Sequence, residues 1–365
     1  MRIGYHRRRL ASFAAGMKLA KQLEAQSREP EAALRRRQQT QLEALVRHAR
    51  EHSPFYRERL SDGPVALDRL PVLEKPELME RFDDVVTDRR LHRDELLAWI
   101  ETRRRDELLH DAYRVMTTSG SSGRKGLFVY DPAGWASIAA HLLRLTAWFG
   151  VAPRLPRRRM AMLGAPSPAH MSVQGSETLR VGAHRVMAVP VTQPIEQQVA
   201  ALNAFRPDFL NAYPSAAVRL AEEQEAGRLR LSLEGMSTSS ELLTPEMAER
   251  VEAAFGVRPF NVYATTEGLF GAECERHDGV HLFEDVALVE NVDERGRPVP
   301  AGEPGARVLV TQLHNRVQPI IRLAVSDVFT LDPEPCPCGR RLVRAAAIQA
   351  AATTYSLCRR GPAAP

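Results

Sequence analysis

Cysteine is scarce in this chain: 4 of 365 residues, too few for the disulfide framework that staples small secreted domains. Cys336 and Cys338 stand so close that the pair does not pin an ordinary loop. Long apolar runs are missing too, and no stretch approaches the roughly 20 residues that cross a bilayer. Residues 10–17 follow arginines as an export signal would, but Lys18 and Lys21 close the stretch early and no export signal is read. A reducing, cytoplasmic setting is expected. Charge of one sign is also missing. The 50 lysines and arginines against 45 acids leave +5, which does not by itself argue for a nucleic-acid partner. Internal repeats are absent, and the alanine-rich tail after Arg344 is the one low-complexity feature.

What is there is ordinary globular composition, 44% apolar and 26% charged, which excludes a disordered or collagen-like chain. The length suits two domains, or one large domain with an appendage. The basic excess sits at the front, where residues 1–50 hold 12 lysines and arginines against 4 glutamates. A solvated helix face explains it; an anion-binding or nucleic-acid surface is the alternative. Leu42, Leu45, Val46 and Ala49 recur at helical spacing, so 31–52 is expected as an amphipathic helix. Pro71 and Pro76 mark 70–76 as a connection.

Further along, helices are expected at 135–149, 195–205, 215–226 and 245–255, and strands at 127–130, 160–163, 186–191, 208–212, 231–236 and 258–263. Such alternation implies an α/β body, a parallel sheet covered by helices. After Gly279 the texture changes to β-rich runs at 280–292 and 307–313 around the turn 293–298, which predicts a smaller antiparallel sheet. The expected division is a basic helical segment 1–75, an α/β core 76–278, a β-rich subdomain 279–349 and a tail 350–365.

Three segments carry chemistry. In Thr117-Thr118-Ser119-Gly120-Ser121-Ser122-Gly123-Arg124-Lys125-Gly126, small residues let backbone N–H groups and hydroxyls approach phosphate oxygens. It is not a Walker loop, and alone it serves equally as a Gly/Ser connector. Tyr263-Ala264-Thr265-Thr266-Glu267-Gly268 follows a strand, at the edge where open α/β sheets bind ligands, and Glu267 beside Thr266 offers hard oxygens to Mg²⁺. The segment 318–327 is an apolar strand ending in Asp327, whose carboxylate suits two ribose hydroxyls. Each of the last two, taken alone, is matched by a plain loop or turn acid.

In this order the segments resemble the adenylate-forming enzymes, specifically the branch of phenylacetate-CoA ligase, over roughly residues 40–349. The resemblance includes residues 53–60, Ser239-Ser240-Glu241 and Cys336-Pro-Cys338-Gly339-Arg340. It implies the large N-terminal region of such an enzyme, with mixed or parallel sheets under helices and a smaller antiparallel β-rich part. The implied activity is ATP- and Mg²⁺-dependent activation of an aryl or arylacetic acid to an acyl-adenylate, passed on to coenzyme A or a carrier thiol. The partners it implies are a small carboxylic acid, ATP and a carrier protein, with no membrane and no nucleic acid. The phosphates would fall to Thr118, Ser119, Gly120, Ser121, Ser122, Gly123 and Lys125. Ser239, Ser240, Glu241 and Tyr263 would face the adenine side, Thr266 and Glu267 the catalytic Mg²⁺ site, and Asp327 the ribose. His170 and Tyr213 lie where the family approaches its acyl substrate; a loop histidine and a core tyrosine are the plain alternatives.

Cys274, His281, Cys336 and Cys338 have the chemistry of a tetrahedral Cys₃His zinc site, with His277 as the rival histidine and ordinary buried thiols as the alternative. In the resembled branch similar cysteines hold a structural zinc. That family continues into a hinge and a small mobile domain bearing an essential lysine, and residues 349–360 do not look like the hinge. A frame change after Gln349 would account for the difference, since restoring one G to a back-translation reads Gln-Gly-Arg-Gly-Asp-Asp. Weak or absent adenylation by this chain alone is therefore expected. A noncatalytic nucleotide- or acyl-binding protein is the alternative function.

Overall fold

The computed structural model describes residues 2–103, 107–118, 126–151, 154–180 and 184–349. Two long helices open the chain, Arg2–Gln26 and Glu31–His52. The second has the expected bounds and buries Leu34, Leu42, Leu45, Val46 and Ala49 along one stripe. The first carries no comparable periodic signal. It lies along the helix Pro132–Trp148 so closely that a methyl group on Gly16 would meet Ala139 Cβ at 2.6 Å, so small residues rather than a broad apolar stripe make that contact. Part of the basic excess points inward: Arg9 is buried against the Glu177 carbonyl and Arg35 reaches Glu284 at 2.6 Å.

A nine-stranded sheet forms the body. Its order is Val328–Leu331, Arg344–Gln349, Val280–Leu282, Phe270–Glu273, Pro259–Ala264, Gly235–Ser239, Phe209–Ala212, Arg159–Gly164 and Arg185–Pro190. The last five are parallel and the first four add antiparallel pairs. Helices Ile195–Phe205, Pro214–Glu225 and Pro245–Phe255 follow the parallel strands, as the alternation predicts. Pro245–Phe255 shows why the bounds are sharp. Thr244 accepts from the Met247 N–H at 3.3 Å, Pro245 starts the first turn, and Gly256 ends the helix at φ +69°.

Two expected strands are corrected. The run expected at 231–236 is Gly235–Ser239; Leu229, Leu231 and Leu233 are buried from a connection, and their alternation mimics a strand. The run 280–292 breaks into Val280–Leu282 and Ala287–Val292, which belong to different sheets. Between them sit Glu284 and Asp285, buried acids held by Gln38, Arg35, the Val343 N–H and Arg144. Satisfying two carboxylates turns the chain there. The expected smaller antiparallel sheet is Ala287–Val292, Arg307–Gln312 and Leu323–Val325. The nine-stranded sheet runs across residue 279, and the two sheets share a core of Leu282, Val308, Val310 and Phe329.

The connection at 70–76 is strapped onto the strand that leads to Asp327. Leu73 donates to the Arg322 carbonyl at 3.0 Å and accepts from the Ala324 N–H at 2.9 Å. Arg322 holds Glu290 through two 2.9 Å bonds and also takes the Asp68 and Leu70 carbonyls. Among the described residues, no helix is long and apolar enough to cross a membrane.

Candidate active site

The strand order places a topological switch between Arg159–Gly164 and Phe209–Ala212. From the first of these the chain moves outward to Arg185–Pro190, then returns past it to Phe209–Ala212, Gly235–Ser239 and Pro259–Ala264. Loops diverge at such a point and open a crevice at the carboxyl ends of the strands. A cavity of about 360 Å³ lies there. Much of its lining is apolar, including Leu142, Leu145, Phe149, Met160, Met162 and Phe209. Its polar lining includes Thr118, His170, Ser239, Ser240, Thr266, Glu267 and Asp327, together with Lys75.

Glu267 sits in a tight turn between two antiparallel strands. Tyr130 donates its hydroxyl to the Thr266 carbonyl at 2.8 Å, and Gln312 donates to both the Tyr130 hydroxyl and the Glu267 carbonyl. Gly268 closes the turn at φ +93°, a conformation that favours glycine. The backbone is thus held from below, and the largely buried carboxylate faces the cavity, where Lys75 Nζ bonds Oε1 at 2.8 Å.

Asp327 receives the Tyr263 hydroxyl at 2.6 Å. Burial lifts its pKa above the ordinary carboxylate value and Glu267 adds to the lift, while Tyr263 and Lys75 pull the other way. Burial, and then Asp327, raise the Tyr263 phenol far above its usual value. Because the folded pKa of Asp327 exceeds the unfolded one, its contribution to stability is fully present below the unfolded value and is lost as pH rises through the folded value. Asp327→Asn should therefore raise Tm at pH 7, with the gap closing as pH falls towards 4. Thermal melts across pH check this; an unchanged Tm at pH 7 would contradict the burial argument.

Thr118 directly follows one strand of the antiparallel pair Arg114–Thr117/Leu127–Tyr130. Its N–H donates to the Gly126 carbonyl at 3.0 Å and its hydroxyl accepts from the Gly126 N–H at 2.9 Å. The two ends of the candidate phosphate loop are therefore clasped beside the cavity. Ser119, Gly120, Ser121, Ser122, Gly123 and Lys125 lie outside the described residues, as does the tail 350–365. Ser239 and Ser240 line the cavity, with Ser240 at φ +71°. Glu241 does not; its carboxylate accepts the Ser215 N–H at 3.0 Å at the start of a neighbouring helix. His170 lines the cavity and caps the helix Met171–Leu179, and burial lowers its pKa. Tyr213 is not among the lining residues. Its hydroxyl accepts the Ala165 N–H at 3.1 Å and steadies the loop after a parallel strand.

Lys75 is the site residue that sequence reasoning missed. Nothing in Leu73-Glu74-Lys75-Pro76 distinguishes it, because its place depends on the strap to Leu323.

Away from the cavity, the ligand atoms of Cys274, His281, Cys336 and Cys338 all lie within 4.8 Å of one another. The Cys274 and Cys336 sulfurs are 3.8 Å apart, and Cys338 Sγ is 3.5 Å from His281 Nε2. With metal bonds of about 2.3 Å to sulfur and 2.0–2.1 Å to nitrogen, a tetrahedron has edges of about 3.8 and 3.6 Å. His281 Nδ1 lies 3.3 Å from the Leu342 carbonyl, which leaves Nε2 as the inward donor. Burial lowers His281 to about 4 and raises the Cys274 thiol to about 12. His277 instead pairs with Glu273 at 3.0 Å and stacks on Phe260.

An open α/β sheet with a cavity at its switch point, lined by a turn glutamate and by an aspartate just past a strand, matches the large N-terminal domain of adenylate-forming enzymes in fold. The chain belongs to the AMP-binding enzyme family, which matches residues 32–311. Its place is in the phenylacetate-CoA-ligase-like branch. It is 28% identical over 333 residues to the phenylacetate-coenzyme A ligase of Thermus thermophilus, covering 86% of this chain and 69% of that protein. With the phenylacetate-coenzyme A ligase of Escherichia coli the identity is 25% over 334 residues, covering 84% and 69%. Among solved structures, an open conformation of 2-hydroxyisobutyryl-CoA ligase with 2-HIB-AMP and CoA shares the fold. Its TM-score is 0.69 at 23% identity, over 85% of this chain and 68% of that one.

Proposed function

We propose that this chain activates a carboxylic acid, aryl or arylacetic, as its acyl-adenylate at the expense of ATP, and that the acyl group then passes to coenzyme A or a carrier thiol. The observation that carries this reading is a single cavity lined both by a set of apolar side chains and by two carboxylates. The apolar lining suits a ring or short hydrocarbon, and the carboxylates suit a nucleotide with its cation. Thr118 and the loop after it would face the phosphates, Ser239 and Ser240 the base, and Asp327 the ribose hydroxyls. Glu267 and Thr266 would hold Mg²⁺, which offsets phosphate charge when bound. The substrate carboxylate is already the nucleophile, so oriented donors and positive charge matter more than a general base. His170, whose pKa is lowered by burial, then serves as a pocket wall.

Thermal-shift screening with ATP, Mg²⁺ and a panel of carboxylic acids tests the reading, followed by acid-dependent pyrophosphate release. Aryl and arylacetic acids should raise Tm beyond ATP alone and release pyrophosphate, with weak turnover expected of this chain by itself. ATP binding with no acid dependence would instead favour a noncatalytic binding protein.

The Cys274, His281, Cys336 and Cys338 cluster is proposed to hold a structural zinc, with fourfold protein ligation leaving no open position for catalysis. Elemental analysis should find about one zinc per chain, as a closed four-ligand site requires. Cys336→Ser should lose most of it and melt several degrees lower. A chain purified without zinc and with an unchanged Tm would refute this.

A further inference from the structure

We propose that Lys75 is a further catalytic residue of this cleft: its ammonium neutralises Glu267 before nucleotide binds, and moves to the α-phosphate when Mg²⁺ takes that carboxylate. The inference rests on the adenylation reading above.

The position of Lys75 is imposed from elsewhere. The strap ahead of it is held by the Leu73 hydrogen bonds to Arg322 and Ala324, and by the Arg322 guanidinium on the Asp68 and Leu70 carbonyls. The lysine–glutamate bond is therefore not needed to keep the segment in place. At the tip of this fixed strap the side chain is about a third exposed, at 30%, and its four-carbon stem leaves the ammonium free to swing.

The surrounding charge needs such a group. Among the described residues lining the cavity, Lys75 is the one lysine or arginine, and it stands with Glu267 and Asp327. A polyphosphate and a second carboxylate add several negative charges to that cavity. The stem also lies across the clasp of the candidate phosphate loop. A methyl group on Gly126 would meet Lys75 Cε at 2.7 Å and Thr118 Oγ1 at 2.9 Å. The ammonium thus lies between the end of that loop and the Glu267 carboxylate, 2.8 Å from Oε1.

In the proposed step a substrate carboxylate oxygen forms a bond to the α-phosphorus. The bond from that phosphorus to the bridging oxygen of the β-phosphate breaks, and pyrophosphate leaves with the electron pair. No proton moves. Charge gathers on the α-phosphoryl oxygens, where a positioned ammonium lowers the barrier. A divalent cation and an ammonium repel one another at one carboxylate, so occupation of Glu267 by the metal displaces the lysine towards the phosphate.

The test uses the full chain with Lys75→Met, Lys75→Arg and Gly126→Ala. Calorimetry of ATP binding across Mg²⁺ concentrations should give Lys75→Met a half-saturating Mg²⁺ several-fold lower than the parent, since the competing cation is gone. Acid-dependent pyrophosphate release should fall about 100-fold in kcat with KM for ATP changing far less. Lys75→Arg should recover at least part of the loss, and Gly126→Ala, which keeps the charge but shifts the stem, should fall between. An unchanged Mg²⁺ dependence, or a kcat within threefold of the parent, overturns the proposal. So does a loss of Tm that by itself accounts for the lost activity. If the parent chain, whose turnover alone is expected to be weak or absent, releases no pyrophosphate with any acid and no acid raises its Tm beyond ATP alone, the adenylation reading fails. In that case a Mg²⁺ dependence that still shifts in Lys75→Met upholds the exchange at Glu267, and one that does not overturns it.

Discussion

Glu267→Gln should lower acid-dependent pyrophosphate release about 100- to 1,000-fold, the range for removing one preorganised electrostatic group from a transition state, and leave the fold intact. The backbone of the turn is held by Tyr130 and Gln312 through the Thr266 and Glu267 carbonyls, and neither contact involves the carboxylate. The side chain bonds Lys75, and a pair whose lysine is about a third exposed contributes at most about 1 kcal/mol. Stability is then a minor effect and metal binding the major one. Glutamine keeps the size and the acceptor facing Lys75 but lacks the charge a divalent cation needs. Parallel melts and a Mg²⁺ titration of the rate separate the two effects. A variant that keeps more than half the parent rate would remove Glu267 from the proposed chemistry.

Arg144→Met is expected to have the largest effect on stability. Arg144 is fully buried, donates to both Asp285 oxygens at 2.9 Å, and lies 4.3 Å from the Phe283 ring centre. Asp285 is itself buried, and burial raises its pKa despite the pull of Arg144. Removing the guanidinium strands a carboxylate in a dry core, which costs about 3–5 kcal/mol and on the order of 10 °C in Tm. The sign with pH follows from the raised pKa. Asp285 without its partner takes up a proton more readily, so the penalty should shrink as pH falls. Arg144→Met/Asp285→Asn should regain much of the loss, since neither member of the pair then carries a charge. Urea melts of the single and double variants decide the matter; a double variant no more stable than Arg144→Met would sink the stranded-charge account. The same helix, Pro132–Trp148, presents Leu142 and Leu145 to the cavity. Binding of the acid should therefore loosen in Arg144→Met more than binding of ATP.

How much of this was legible in the chain depends on the range of the interaction. Helix Pro245–Phe255 was readable to the residue because a threonine, a proline and a glycine punctuate it locally. Helix Arg2–Gln26 was not, because its contact relies on close approach at Gly16, which leaves no apolar stripe. The false strand at 231–236 arose where buried leucines alternate in a connection. Thr118, Thr266, Glu267 and Asp327 were legible because strand-end acids and Gly/Ser loops leave a compositional trace. Glu241 and Tyr213 carry the right chemistry, yet each meets a backbone N–H outside the cavity.

The sequence by itself determined the α/β class and pointed to the cavity-lining Thr118, Thr266, Glu267 and Asp327 and to three cysteines with a histidine as candidate zinc ligands, since each depends on local pattern or side-chain chemistry. Tertiary structure alone decided that Lys75 meets Glu267, that His281 rather than His277 joins the cysteines, and that helix Pro132–Trp148 lines the cavity. Those outcomes hang on contacts between residues far apart in the chain, and their spacing along it leaves no trace of which partners the folded sheet brings together.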